Sequence, residues 1–178
     1  GWFKHYHNNG QPQSEENYTI VGNASVKHGK QTYWHENGVK SREEYYKEGK
    51  MHGTSTLWND KGIKISEQQC KEDKRHGRCK IWNEKGAIQV VEDFKDGMRH
   101  GVQMRYDKDG KLQYEDSYKD DKLHGKEVCY FKDGRVKFEC TYEGGKLNGP
   151  YINYYDNGTK LVEGTYPKYE EAVPADCD

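Results

Sequence analysis

KDGMRHGVQMRYDKDG, residues 95–110, carries a turn glycine at Gly97, a His100-Gly101 pair, an aromatic at Tyr106 and a second turn at Asp109-Gly110. The His-Gly pair recurs at His28-Gly29, His52-Gly53, His76-Gly77, His100-Gly101 and His124-Gly125, then as Asn148-Gly149, at a period of 24 residues. A fixed period of this length identifies a stacked repeat architecture, so the copy rather than the chain is the unit to be read.

Four further columns share the period. An aromatic stands six residues after each histidine: Trp34, Trp58, Trp82, Tyr106, Tyr130 and Tyr154. A turn glycine follows at Gly38, Gly62, Gly86, Gly110, Gly134 and Gly158. Then comes a carboxylate at Glu43, Glu67, Glu115, Glu139 and Glu163, with Val91 as the exception. Tyr46, Cys70, Phe94, Tyr118, Tyr142 and Tyr166 close the copies. Gly1, Tyr6, Gly10, Glu15 and Tyr18 mark an earlier copy, which has four extra residues before His28 and reads there as a longer loop around Ile20 to Ser25. The chain thus reads as one repeat domain over 1–166, in copies 1–27, 28–51, 52–75, 76–99, 100–123, 124–147 and 148–166. An acidic tail, 167–178, follows as a cap or a free end.

Composition alone would suggest disorder: Leu, Ile, Val and Phe make up 25 of 178 residues and 33% of the chain is charged, below the usual globular apolar share. A net charge of −1, 15 Tyr and 4 Trp oppose that reading. Stacked copies need only a thin buried layer each, and aromatics supply it. The balanced charge announces no nucleic-acid face. No apolar run is long enough to span a membrane. The five cysteines match no metal or redox spacing.

Short aromatic-rich segments between Asn-Gly and Asp-Gly pairs predict strands joined as hairpins. Helical apolar spacing is absent. The expected fold is all-β, an elongated solenoid of tandem β-hairpins, with the His-Gly pair as the turn into each next copy. Two strands per copy give about 10 Å of rise, and seven copies roughly 60–70 Å. Alternation places Val102, Met104 and Tyr106 on one face and Gln103 and Arg105 on the other, the pattern of a sheet packed on one side.

These columns resemble the bacterial MORN-variant repeat, over residues 1 to about 166. Chains built wholly from this repeat include those labelled the YwqK-type antitoxin family. Asp73, Asp121, Cys70 and Val91 depart from the pattern and bear on local turn geometry. The resemblance implies a β-hairpin solenoid acting as a binding or scaffold module. From its antitoxin branch follows the expected function, a non-enzymatic immunity protein that holds and neutralises a toxin or secreted effector. The alternative is an envelope-associated scaffold contacting lipid headgroups or surface proteins. A carbohydrate-binding reading would require Trp34, Trp58 and Trp82 to face solvent, and they are expected to be buried. A trimmed leader would place the chain in a bacterial periplasm or envelope, and its absence in the cytoplasm.

No catalytic, cofactor or metal site is expected. Histidines about 10 Å apart cannot share an ion whose ligands each lie about 2 Å away, so they read as turn residues. The glutamates are equally spaced and equivalent, whereas acid–base pairs need unlike environments. They read as acceptors for backbone N–H groups or for a tyrosine hydroxyl of the adjacent copy. Cys129 and Cys140 lie on opposite arms of one hairpin, Cys129 facing Phe138, a placement that does not favour a disulfide between them. What varies on a repeating frame is free to recognise a partner, and Tyr and Arg are common anchors. Two variable columns, running Tyr33 to Asn153 and Arg42 to Val162, and the off-column aromatics nominate Tyr33, Tyr45, Arg105, Tyr114, Phe131, Phe138 and Tyr155 as partner-binding residues.

Overall fold

The computed structural model describes residues 1–166. The tail 167–178, expected as a cap or free end, lies outside the described residues. The described residues form strands and turns and no helix, and the chain divides into two compact units, 1–87 and from Ile88 onward.

The first unit holds β1 (Trp2–Tyr6), β2 (Pro12–Val21), β3 (Ala24–Lys27), β4 (Gly29–Trp34), β5 (Lys40–Lys47), β6 (Lys50–Met51), β7 (Gly53–Trp58), β8 (Lys64–Lys71) and β9 (Lys74–Trp82). The second holds β10 (Ile88–Lys95), β11 (Met98–Arg99), β12 (Gly101–Tyr106), β13 (Leu112–Lys119), β14 (Lys122–Tyr130), β15 (Val136–Glu143), β16 (Lys146–Tyr154) and β17 (Lys160–Tyr166). Within each unit the strands pair antiparallel, each with its sequence neighbours, as tandem hairpins require. The all-β hairpin-repeat expectation holds.

Two kinds of turn alternate. One spans five residues, as at 35–39, where His35 N–H donates to Val39 O at 2.8 Å and Gly38 N–H to His35 O at 2.9 Å. The other is a two-residue reversal with both residues at positive φ, as at Glu48 (50°) and Gly49 (86°) or Asp120 (51°) and Asp121 (65°), the geometry that matches strand twist. This corrects the expected role of His-Gly. The chain reverses at 48–49, 72–73, 96–97, 120–121 and 144–145, and the His-Gly pair (Asn-Gly in the last copy) follows each reversal, as a bulge. From Leu123 to Glu127 the chain advances four residues while the partner strand, Tyr118 to Asp116, advances two. Such an insertion bends the strand and raises its twist.

Asp73 and Asp121 keep the reversal intact where glycine is missing. Each N–H donates to a carbonyl of the preceding hairpin, Met51 O at 3.1 Å and Arg99 O at 3.0 Å. Each carboxylate then accepts the N–H of that same residue, at 2.8 Å from Met51 and 2.9 Å from Arg99. The extra N-terminal residues are also corrected: they form a hairpin, not a loop. Thr19, Ile20 and Val21 are β-branched and suit a strand, so β2 extends to Val21 and pairs with β3 across a Gly22-Asn23 turn.

Packing is two-sided rather than one-sided. Gln31 is 0% exposed, and Ser55, Gln103 and Asp116 are buried on the face opposite the aromatic column, while Thr32 and Thr56 are buried on the aromatic face. Gln31 tolerates this because its amide is satisfied: Oε1 accepts Asn17 N–H at 3.0 Å and Nε2 donates to Asn17 O at 2.9 Å. The apolar core lies in the second unit, where Cys129, Phe138, Cys140, Tyr142 and Leu147 cluster under Tyr114, Leu123, Tyr151 and Tyr166.

Candidate functional site

The glutamate column is structural: its members are held by lysines, by tyrosine hydroxyls or, at Glu139, by Lys126 and Tyr154 together. Glu43 receives Lys40 Nζ at 2.7 Å, and that ammonium sits 5.3 Å from the Trp58 ring centre. Glu67 receives Lys64 at 2.6 Å, and Lys64 lies 5.2 Å from the Trp82 ring. In the copies of Glu115 and Glu139 the lysine position holds Leu112 or Val136 and the next aromatic is a tyrosine, while the last copy returns to lysine, with Lys160 2.5 Å from Glu163. Tyr154 donates its hydroxyl to Glu139 at 3.2 Å. Burial, and then the charge of hydrogen-bonded Glu115, push the Tyr130 phenol up to about 12. Tryptophan has no hydroxyl for the carboxylate, so a lysine is needed to bridge ring and acid.

Val91 leaves Tyr106 without this partner, and the Tyr106 hydroxyl turns to Met104 Sδ at 3.3 Å. V91E should restore the pattern of the two following copies and stabilise by about 0.5–1.5 kcal/mol, the usual worth of one such bond. Urea unfolding of V91E in native and Tyr106→Phe backgrounds checks this. The gain should vanish without the hydroxyl, and a gain that survives Y106F would exclude the tyrosine as its source.

On the opposite face the two variable columns are a single row. In the first unit Tyr33 pairs with Arg42, Arg42 with Leu57, Leu57 with Ser66 and Ser66 with Ile81. In the second, Val90 pairs with Arg105, then Tyr114, Cys129, Phe138, Asn153 and Val162 follow strand by strand. The Cys129–Phe138 pairing expected from the sequence is present, through a five-residue turn. Cys140 is a free, buried thiol, and burial pushes it up to about 12.

The row changes character along the chain. In the first unit it starts polar and then turns apolar: Lys27 donates to Tyr33 Oη at 2.7 Å and Arg42 stacks 4.2 Å from the Tyr33 ring, while Leu57 and Ile81 are exposed further along. In the second it meets buried charge. Arg105 Nη2 pairs with Asp116 Oδ2 at 2.7 Å, with Asp116 almost wholly buried. Glu127 stands directly opposite Asp116; burial first, then the charge of Asp116, raise its carboxyl above the usual range.

The nominated residues therefore have different surroundings. Arg105, Tyr114 and Phe138 fall in one row, and Tyr33 occupies the same row position in the first unit. Arg105, Tyr45 and Tyr155 are exposed, while Tyr33, Tyr114 and Phe131 are half-buried. Phe138 is a correction: at 6% exposed it belongs to the core. The signal that hid this was its column, whose other members are polar or small in several copies; only the neighbours Cys129, Cys140 and Leu147 make the position apolar. Tyr45 lines a separate opening beside His52, Thr54 and Thr56. The column tryptophans Trp34, Trp58 and Trp82 are half-buried, less covered than expected.

The structure adds a groove of about 620 Å³ in the second unit, between successive five-residue turns. Tyr114, Tyr130 and Phe131 line it with Gln113, Lys132 and Lys137. It unites two nominated residues that sequence columns had kept apart, Tyr114 and Phe131. Lys132, in the turn, and Lys137, on β15, were missed because lone lysines look like ordinary solvated charge. Among the described residues, no group of three His, Cys, Asp or Glu side chains is placed to hold a metal.

No curated protein matches the chain. The family described as MORN repeat variant matches residues 3–19, 27–48, 99–120, 123–143 and 147–166, more than half of the sequence. The β7–β8 hairpin lies outside those matches yet repeats the register of β4–β5, with Leu57/Trp58 shifting where Tyr33/Trp34 do. On this repeating register and on the matched copies, the chain belongs to the MORN repeat variant family.

Proposed function

We propose that this chain is a non-enzymatic protein-binding module that neutralises a toxin or secreted effector, as an immunity protein does. The observation carrying this reading is the variable row. A scaffold that spends its repeating columns on turns, glutamate bonds and aromatic packing keeps, within each unit, one line of unlike residues, strand after strand, on one face. In the first unit Leu57 and Ile81 are exposed on that line, and in the second Arg105 is; paired strands present each of them with little ordering cost. The glutamates that could otherwise suggest chemistry are engaged with lysines and tyrosines.

The test is a purified one-to-one complex whose partner has a hydrolase, nuclease or pore-forming activity that this chain suppresses. The double variant Leu57→Asp with Ile81→Asp should weaken such a complex roughly tenfold or more, since a charge placed in a desolvated contact is costly. Unchanged affinity would remove the row from the interface.

One observation favours the envelope-scaffold reading. Trp2, Phe3 and Tyr6 are more than half exposed, and Ile20 and Val21 are exposed beside them in the first unit; such amphipathic aromatics suit a membrane interface. Co-sedimentation with phosphatidylglycerol vesicles, lost in Trp2→Ser with Phe3→Ser, would support it. No helix among the described residues is long and apolar enough to cross a membrane.

A further inference from the structure

The residue after each column aromatic has a steady task in the first five copies. His7 and His35 place Nε2 against the Trp34 and Trp58 carbonyls at 2.9 and 3.0 Å, tying one turn to the next. Asn59, Asn83 and Asp107 use Oδ1 to accept two backbone N–H groups of their own turn, the capping for which Asx residues are favoured. Positions 131 and 155 hold Phe and Tyr, which can do neither. Their turns are capped two residues later instead, by Asp133 Oδ1 on Arg135 N–H at 3.0 Å and Asn157 Oδ1 on Thr159 N–H at 2.9 Å. The two positions are thereby released from turn building and given to large aromatics, and the groove opens beside the first of them.

The groove has an aromatic lining of Tyr114, Tyr130 and Phe131 and a cationic rim. Asp133, one of its two acids, is neutralised by Arg135, whose Nη2 lies 2.5 Å from Oδ2. Lys132 and Lys137 stand on the rim, and Lys111 joins them, its Nζ 3.1 Å from Lys132 O. Asp156 is the remaining acid of the lining. Leaving Lys137 aside, Lys111, Lys132 and Arg135 set three cationic side chains against the two carboxylates, in a chain whose net charge is −1. A local positive excess over an aromatic lining is complementary to carboxylates flanking a large apolar anchor.

We propose that this groove docks an acidic segment of the protein partner, with an aromatic or aliphatic side chain seated on Tyr114 and Phe131 and its neighbouring Asp or Glu residues on Lys132 and Lys111. This rests on the protein-binding reading above and specifies where and by what chemistry the partner is held.

The experiment is an amide NMR titration of the full chain with a synthetic decapeptide alternating Glu and Tyr, beside a Lys/Tyr peptide of equal length. Saturable shifts should centre on Tyr114, Phe131 and Lys132, and fall away with added salt. The Lys/Tyr peptide should bind roughly tenfold more weakly or not at all. Lys132→Glu should weaken the acidic peptide comparably. So should Phe131→Asn, which restores the Asx residue native at positions 59 and 83 and so keeps the turn. Absence of saturation, shifts centred elsewhere, or equal binding of both peptides would overturn the proposal. Any of these leaves the immunity reading to its own assay, the suppressed activity of a purified partner.

Discussion

Phe138→Ala lowers the unfolding free energy by about 3–5 kcal/mol, the cost of emptying a buried aromatic site. Phe138 packs with Cys129, Cys140, Tyr142 and Leu147 at the centre of the one apolar cluster recorded for the described residues. Elsewhere the sheet is held mainly by backbone pairing and polar side chains, so little stands ready to fill the cavity. The loss should be concentrated where the cluster is built. Hydrogen exchange should quicken most at the amides of β14, β15 and β16, because in repeat proteins stability is distributed copy by copy. Phe138→Leu, which retains most of the volume, should cost far less. If F138A instead left exchange and the urea midpoint unchanged while weakening a partner complex, Phe138 would be a recognition residue after all, and the core assignment would fall.

Gly101→Ala costs about 1–3 kcal/mol, the range for forcing a side chain into a backbone region that L-residues avoid. Gly101 has φ +119°, and an added Cβ would lie 3.0 Å from Asp93 Cβ. That contact is with the root of a side chain on the preceding strand, which cannot swing aside. The same distance recurs at Gly53 against Tyr45 Cβ and nearly so at Gly125, 3.1 Å from Ser117 Cβ, whereas Gly77 and Gly149 leave 3.4 and 3.9 Å, so the close approach is shared by some copies and not by all. Gly134 is the control: its φ is +88° and nothing lies within 4 Å of the Cβ position, so Gly134→Ala bears only the backbone penalty, about 1 kcal/mol. Equal losses for G101A and G134A in urea unfolding would refute the close-approach argument. The histidine beside each such glycine has a turn role as well: His100 Nδ1 lies 3.2 Å from Asp120 Oδ1, and His28 Nδ1 accepts Glu48 N–H at 3.4 Å.

Both effects arise from features that sequence reading treated unequally. The His-Gly glycine was legible because it recurs every 24 residues and because glycine is the residue that tolerates positive φ. Its position in the hairpin was not legible, since the true reversals use Glu-Gly, Glu-Asp, Asp-Gly, Asp-Asp and Gly-Gly pairs that vary from copy to copy. Asp at positive φ is acceptable there because its carboxylate gains a backbone donor from the preceding hairpin, a contact invisible along the chain. The trade between Lys with Trp at Glu43 and Glu67 and Leu or Val with Tyr at Glu115 and Glu139 was likewise present in the columns, but its meaning needed the geometry that brings Lys40 over Trp58 and Tyr154 onto Glu139.

The sequence by itself determined the repeat, the all-β hairpin class, the Cys129–Phe138 register and the non-repeating positions where recognition would be sought. These follow from local rules: a fixed period, turn residues with particular backbone angles, and alternation along strands. Only the tertiary structure decided that two variable columns merge into one row, that Phe138 is core while Arg105 is surface tied to a buried carboxylate, and that Phe131 and Tyr114 share a groove. Burial and neighbourhood are set by which residues of adjacent strands are brought opposite one another, and in a MORN repeat chain that depends on bulges and turn lengths more than on the identity of the residue itself.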